Sequence, residues 1–135
     1  MDAQQKTIAE NCKEGAETDT MTFPEIVRAL MGAGFESYIV DFRRRSATYY
    51  LPNDESVEFK THETAVPVAA RFDDAALSAA IREAQNLVPG DTYKGFCAKA
   101  RAAGCAAYMV SFAGRRAVYF GRTGETHVED FPRSR

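Results

Sequence analysis

Hydrophobic residues recur at helical spacing in four stretches of the chain and alternate with polar residues in several shorter ones. The helical stretches are residues 2–15, 22–33, 73–87 and 92–103. In the second stretch Thr22 and Glu25 have the spacing of a capping box, and Pro24 lies in the first turn, where its missing N–H costs nothing. A glycine follows both the second and the fourth stretch, as is typical of the carboxyl end of a helix.

Alternation predicts a β-hairpin after each of these two helices and a third strand after each hairpin. The hairpins cover residues 37–50 and 107–120, and the third strands cover 56–60 and 126–131. A two-residue turn at Gly114-Arg115 suits type II′ geometry and sets Phe112 opposite Ala117. In the first hairpin Arg44 takes the place of Gly114, so the same turn requires a positive φ at Arg44 or a wider loop.

The two halves of the chain repeat each other. With residues 22–50 written above residues 92–120, nine positions are identical, whereas average residue usage gives about two. The identical pairs are Thr22/Thr92, Ala33/Ala103, Gly34/Gly104, Tyr38/Tyr108, Val40/Val110, Phe42/Phe112, Arg45/Arg115, Ala47/Ala117 and Tyr49/Tyr119. We predict one α+β domain made by tandem duplication of a helix–helix–hairpin–strand unit, residues 1–70 and 71–135. Its antiparallel sheet carries the helices on one face.

Composition and charge exclude several classes of protein. The 135 residues fit one domain and contain no apolar run near the length of about 20 that spans a bilayer. The amino terminus has no apolar core typical of a secretory signal, so we expect a cytoplasmic protein without a membrane partner. The 17 basic and 19 acidic residues give a net charge of −2, which argues against nucleic acid as a partner.

Arginines at the hairpin tips are the first candidate binding residues. Arg45 and Arg115 recur in both halves, and Arg116 adds a neighbour. The simpler interpretation is a solvated loop kept soluble by charge. The alternative is an anion site that both tips flank around an approximate twofold axis, because arginine suits bidentate binding of carboxylate or phosphate.

The repeated tyrosines are the second candidates. Tyr38, Tyr49, Tyr108 and Tyr119 share one hairpin face, which we expect to pack against the helices. The alternative is a cleft at the twofold axis, lined by paired tyrosines, that binds a small anionic or aromatic ligand.

The sequence contains no convincing catalytic or metal-binding set. His62 and His127 have acidic neighbours, but their spacing matches no known metal-binding loop. Cys97 lies on an apolar helix face, where cysteine is usually a small inert side chain. We therefore predict no catalytic residue, no metal and no cofactor.

The opposite hairpin face in the second half is unusually apolar. It carries Met109, Val118 and Phe120, where the first half has a threonine and a tyrosine among the equivalents. We expect this face to be covered by a protein partner or by a second copy in a homodimer.

The motifs "MTFPEIV" (21–27), "Y-x-V-D-F-R" (38–43) and "TYYLP" (48–52) resemble the YbcV-like family of bacterial proteins, some of which are encoded in prophages and carry the label "phage envelope protein". The resemblance extends over nearly the whole chain. It implies a bacterial, soluble domain of unknown function, and it assigns no activity and no catalytic residue.

These observations favour a non-enzymatic protein-binding or regulatory module. The alternative is a small-ligand-binding protein whose cleft at the twofold axis is lined by tyrosines and arginines. A third hypothesis, binding of nucleic acid through the arginine tips, has only the local arginine density in its support.

Overall fold

The computed structural model describes residues 1–86 and 89–131, and four helices lie within them. The helices are α1 Ala3–Glu17, α2 Phe23–Gly32, α3 Asp74–Gln85 and α4 Tyr93–Ala102. The predicted capping box of α2 is confirmed, because Glu25 N–H donates to the Thr22 hydroxyl and Thr22 N–H donates to the Glu25 carboxylate. α3 ends at Gln85, before the predicted boundary at residue 87, which lies outside the described residues.

Six strands form one antiparallel sheet. They are β1 Ser37–Asp41, β2 Ser46–Tyr50, β3 Ser56–Lys60, β4 Cys105–Ser111, β5 Arg116–Gly121 and β6 Thr126–Asp130. Their order across the sheet is β3-β2-β1-β4-β5-β6, so each half supplies three adjacent strands. This arrangement confirms the predicted α+β class and both third strands.

The two halves meet at the centre of the sheet, where β1 pairs with β4. Ile39 lies opposite Met109, Tyr38 opposite Val110, and Val40 opposite Tyr108. Exchanging the halves converts the second pair into the third, so an approximate twofold axis passes between Ile39 and Met109. The halves share element order and strand register; their origin by duplication stays a prediction.

The predicted hairpin register is wrong in both halves. Val110, not Phe112, lies opposite Ala117, and Ser111 pairs with Arg116. Four residues therefore join the strands instead of two. The loop is wider because the Ser111 hydroxyl accepts a hydrogen bond from Gly114 N–H at 3.0 Å. This bond between side chain and backbone stabilises a four-residue loop and was not considered in the prediction of a two-residue turn.

The first hairpin has the same wide loop. Asp41 Oδ1 accepts hydrogen bonds from the N–H groups of Arg43 and Arg44, both at 3.0 Å. The positive φ falls on Arg45 (52°) and Arg115 (54°), so of the two alternatives for the first hairpin the wider loop is confirmed and a positive φ at Arg44 is wrong. These two carbonyl groups accept hydrogen bonds from the backbone just beyond β3 and β6, so each tip is tied to its third strand.

Two equivalent glycines end α2 and α4 in the left-handed region. Gly34 has φ +96° and Gly104 has φ +90°. A Cβ on Gly34 would lie 3.6 Å from the nearest atom, in the Gln5 side chain, whereas a Cβ on Gly104 would lie 2.2 Å from the carbonyl oxygen of Arg71. The positive φ favours glycine at both positions, but only at Gly104 does the neighbouring backbone also leave no room for a side chain.

The helices cover one face of the sheet, as predicted. Inward-facing residues such as Tyr38, Val40 and Tyr49 are buried, and their neighbours along the strands are more exposed. The core lies between this inner face and the four helices. The outer face has no helix among the described residues.

Candidate functional site: a cavity above a tyrosine floor

Four tyrosines form a continuous aromatic floor on the inner face of the sheet. Tyr49 faces Tyr38 across β2 and β1, and Tyr119 faces Tyr108 across β5 and β4. Their ring centroids are 5.3 Å and 5.1 Å apart within the pairs. Tyr38 and Tyr108 are 6.5 Å apart across the central seam. The floor is therefore centred on the approximate twofold axis.

A cavity of about 490 Å³ lies between this floor and the helices. Apolar side chains from all four helices form much of its wall: Cys12, Ala16, Ile26, Ile81, Ala84 and Phe96. Exposed lining residues, Thr22, Phe23 and Thr92 at the starts of α2 and α4 and Asp130 at the end of β6, mark its mouth. Its size lies within the range of about 300–1,000 Å³ that is usual for small-molecule sites.

The tyrosine hydroxyls are only partly satisfied by the protein. Tyr108 and Tyr93 share a hydrogen bond of 2.7 Å between their hydroxyl oxygens. The hydroxyls of Tyr38, Tyr49 and Tyr119 have no hydrogen-bond partner among the described residues, although these side chains are 92–96% buried. These three residues line the cavity, so their hydroxyls are available to a guest in it.

Burial keeps the floor uncharged. It raises the pKa of Tyr38 and Tyr108 well above the usual value, with the neighbouring phenols adding to the rise. Burial also raises the pKa of Tyr49 and Tyr119. At neutral pH each group is a phenol that both donates and accepts a hydrogen bond.

A partly buried polar cluster borders the cavity beside α1. Glu17 accepts a 2.6 Å hydrogen bond from His62 N–H, lies 3.2 Å from His62 Nδ1, and is 3.2 Å from Nζ of Lys13. Burial raises the pKa of Glu17, but the hydrogen bonds from His62 and Lys13 outweigh that effect and lower it overall. Glu17 is therefore ionised at neutral pH, and the charge of Lys13 is already paired.

A second polar group lies on the inner face of the edge strand β6. His127 Nδ1 is 2.8 Å from Oδ1 of Asp74, and His127 Nε2 is 3.7 Å from Oε1 of Glu129. Glu129 lines the cavity. Among the residues that the structure describes, His127 Nε2 and Glu129 Oε2 are buried without a hydrogen-bond partner.

The arginine tips do not flank one site. β1 and β4 are adjacent and antiparallel, so the two hairpin tips lie at opposite ends of the sheet. Arg45 lies 2.9 Å from Glu63, and Arg116 lies 3.9 Å from Asp130. Neither these arginines nor Arg115 line the cavity. The structure thus brings the predicted tyrosines together and separates the predicted arginines.

All three cysteines are buried with free thiols. Burial raises the pKa of Cys12 to about 11 and that of Cys97 and Cys105 to about 12. The thiolate is the reactive form, so none of the three is activated as a nucleophile. Cys12 lies in the cavity wall, where it contributes a small apolar side chain.

The predicted interface residues lie on the outer face of the sheet. Ile39, Met109, Val118 and Val128 form a row across four adjacent strands, with Phe120 beside it on β5. Val128 is 47% exposed, and the other members of the row are partly exposed. The structure contains one chain, so the interface stays a prediction.

Several residues of the site were missed by the sequence reasoning. Glu17, Lys13 and Tyr93 come from two helices that gave no chemical signal of their own. Glu129 is one of the acidic neighbours of His127, and across residues 1–86 and 89–131 no three His, Cys, Asp or Glu side chains are placed to hold a metal ion. The polar inner-face positions of β6 were a usable signal, because alternation assigns His127 and Glu129 to the helix-covered face.

Comparison with known proteins places the chain in a family. No helix in the described part of the chain is both long and apolar enough to cross a membrane. A comparison with curated proteins found no match. The profile of one family, described as "Protein of unknown function (DUF1398)", matches residues 6–130, nearly the whole chain, and the chain belongs to that family.

Proposed function

We propose that the protein binds a small, mainly apolar and planar ligand in the tyrosine-floored cavity, without catalysing a reaction on it. The observation that carries the proposal is a set of three largely buried tyrosines that line a cavity of about 490 Å³ and whose hydroxyls have no partner among the described residues. Aromatic rings supply the stacking surface, and phenols supply the few polar contacts that orient a ligand.

The geometry favours this function over the protein-binding module. The cavity combines volume, apolar walls and unsatisfied polar groups at one place, whereas the outer face offers only partly exposed apolar side chains. The non-enzymatic character is supported by burial, which raises the pKa values of the thiols and of the floor phenols and so disfavours their nucleophilic forms. A cytoplasmic location and a prophage origin stay predictions.

The proposal is tested by filling the cavity. Ala84 of α3 lines the cavity, and Ala79 of the same helix faces solvent. We expect wild-type protein to bind Nile red, a neutral planar dye, saturably at one site. Ala84→Phe should weaken binding by about tenfold or more, because the added ring occupies the cavity. Ala79→Phe, the matched control, should bind as the wild type does.

Two outcomes would overturn the proposal. One is an absence of saturable binding by the wild-type protein. The other is wild-type affinity in an Ala84→Phe variant whose circular dichroism and cooperative unfolding show that it is folded.

The interface at Met109, Val118 and Phe120 is a separate candidate with its own test. We expect Met109→Asp to lower the sedimentation mass if a second copy covers the outer face, since a buried carboxylate is costly. Wild-type protein that sediments as a monomer at all concentrations would dismiss the homodimer.

A further inference from the structure

We infer that the ligand carries a positive charge, an ammonium group on an aromatic or apolar body, and that Glu129 is its counter-ion. This inference rests on the proposed function and adds the electrostatic class of the ligand. It depends on the charges around the cavity and on the three unpartnered phenols of its floor.

The cavity lining is strongly acidic. Among the residues that the structure describes, five carboxylates line it and Lys13 is the one cationic side chain: the carboxylates belong to Glu17, Asp19, Asp91, Glu129 and Asp130. Lys13 offsets only Glu17 among them, because its Nζ lies 3.2 Å from Glu17 and 2.9 Å from Glu14, which is outside the lining. A carboxylate or phosphate entering this space would meet net repulsion.

Most of these carboxylates already have partners in the protein. Glu17 bonds to His62, Asp19 accepts a 2.9 Å hydrogen bond from Tyr93 N–H, and Asp91 lies 3.3 Å from Lys99. Asp130 lies 3.9 Å from Arg116. Glu129 differs from them, since its Oε2 is buried and has no hydrogen-bond partner among the described residues.

His127 does not neutralise this part of the wall. Its Nδ1 is 2.8 Å from Asp74, and its Nε2 is 3.7 Å from Glu129. Even a protonated His127 would be one positive charge between two carboxylates, which leaves the group net negative. An ammonium group beside Glu129 would supply the missing charge and a hydrogen-bond donor at once.

The tyrosine floor provides the second, independent observation. Tyr119 and Glu129 both line the cavity and lie on the same face of the adjacent strands β5 and β6; Tyr119 is 92% buried, and its hydroxyl has no partner in the described structure. Phenol rings attract cations through their π faces, with about 0.5–2 kcal/mol for each well-placed contact. The neutral phenols and the carboxylate of Glu129 together favour a cationic guest with an aromatic or apolar body.

The experiment compares three probes with one body and different charges. Tryptamine is cationic at neutral pH, 3-methylindole is neutral and indole-3-acetate is anionic. We expect wild-type protein to bind tryptamine at least about tenfold more tightly than indole-3-acetate in calorimetric titration, with 3-methylindole between them.

Matched variants test the assigned residue. Glu129→Gln should reduce the tryptamine preference to about threefold or less, because the counter-ion is lost while the shape is kept. Glu129→Asp should retain most of the preference. Glu58→Gln, on the outer face of the other edge strand β3, is the control and should retain all of it.

The outcomes separate the two proposals. Equal binding of the three probes, or tighter binding of indole-3-acetate, would overturn the charge inference and leave the cavity function standing. A tryptamine preference unchanged by Glu129→Gln would overturn the role of Glu129. If the protein binds Nile red but none of the indoles, the charge inference also fails; if it binds neither, both proposals fail.

Discussion

The first and second halves of the molecule build the same frame but line it differently. Each has two capped helices, a hairpin with a left-handed arginine and a tyrosine pair across its strands. On the inner face of the edge strand, however, the first half has Val57 and Phe59 where the second half has His127 and Glu129. Matched positions thus determine the architecture, and unmatched positions give the cavity its polarity.

The largest expected effect concerns what the halves share, the buried ionisable floor. Burial raises the pKa values of the four floor tyrosines, of Tyr93 and of three cysteines, so the unfolded chain ionises before the folded one. The free energy of unfolding is unaffected at pH values below the pKa that each group has in the unfolded chain. Above that pKa, about 9 for the thiols and about 10 for the phenols, it falls by about 1.4 kcal/mol per pH unit for each group. We expect unfolding before about pH 11.

Tyrosinate absorbance and far-ultraviolet circular dichroism should change together in that titration, in one transition for both halves. Gradual ionisation of all the tyrosines near their ordinary pKa, with the circular dichroism unchanged, would contradict the buried floor.

The next effect separates two equivalent glycines. Gly104→Ala should cost about 3 kcal/mol or more, because the new methyl group meets the Arg71 carbonyl in addition to the strain of a positive φ. Gly34→Ala should cost only about 1–2 kcal/mol, since its surroundings are open. Urea unfolding measures both. Equal losses would show that the two helix ends are packed alike.

A swap of residues on the edge strands tests whether the inner-face residues of β6 and β3 account for the different polarity of the two halves. Changing His127→Val and Glu129→Phe together gives the second half the residues of the first. We expect stabilisation by about 1–2 kcal/mol, because two buried unpartnered polar atoms are removed. Thermal unfolding measures the gain, and tryptamine binding should be lost.

The reverse swap, Val57→His with Phe59→Glu, is the matched control and should destabilise the protein, since it places polar groups beside the packed ring of Tyr49. A neutral reverse swap would mean that the two edges are equally tolerant of charge.

The smallest expected effect on stability concerns a feature that both halves share, the left-handed arginine in each hairpin loop. Arg45→Gly and Arg115→Gly should each stabilise the protein by about 0.5–1 kcal/mol, because glycine adopts the left-handed conformation without strain. The exposed Arg45–Glu63 ion pair offsets little of this gain. Chemical denaturation of the two variants measures this gain. A loss of stability in either variant would show that its arginine makes a contact whose stabilising energy exceeds the backbone strain.

Much of the frame could be predicted because its signals are local. The capping box at Thr22, the glycines after α2 and α4 and the inward-facing tyrosines follow from short-range spacing. The hairpin register failed because the prediction considered only the glycine in the loop. Asp41 and Ser111, short acceptors just before each loop, were the residues that decided its width.

The site was harder to predict because it depends on contacts between the halves. The pairing of β1 with β4 places the arginine tips at opposite ends, and no pattern within either half specifies that pairing. Cavity volume depends on the separation of the helices from the sheet, which side-chain periodicity does not encode. The tyrosines were predicted as alternatives, core or cleft lining, and they are both buried and part of the cavity wall.

The seam between β1 and β4 has a consequence for how the chain assembles. Neither half possesses a finished sheet: cut after β3, the first half would present the whole hydrogen-bonding edge of β1 to solvent. Such a fragment should self-associate through that edge, while the intact chain satisfies it internally because a short connection, residues 61–73, keeps the second half at high effective concentration. Covalent continuity thus favours completion of the sheet within one chain over exchange of halves between chains.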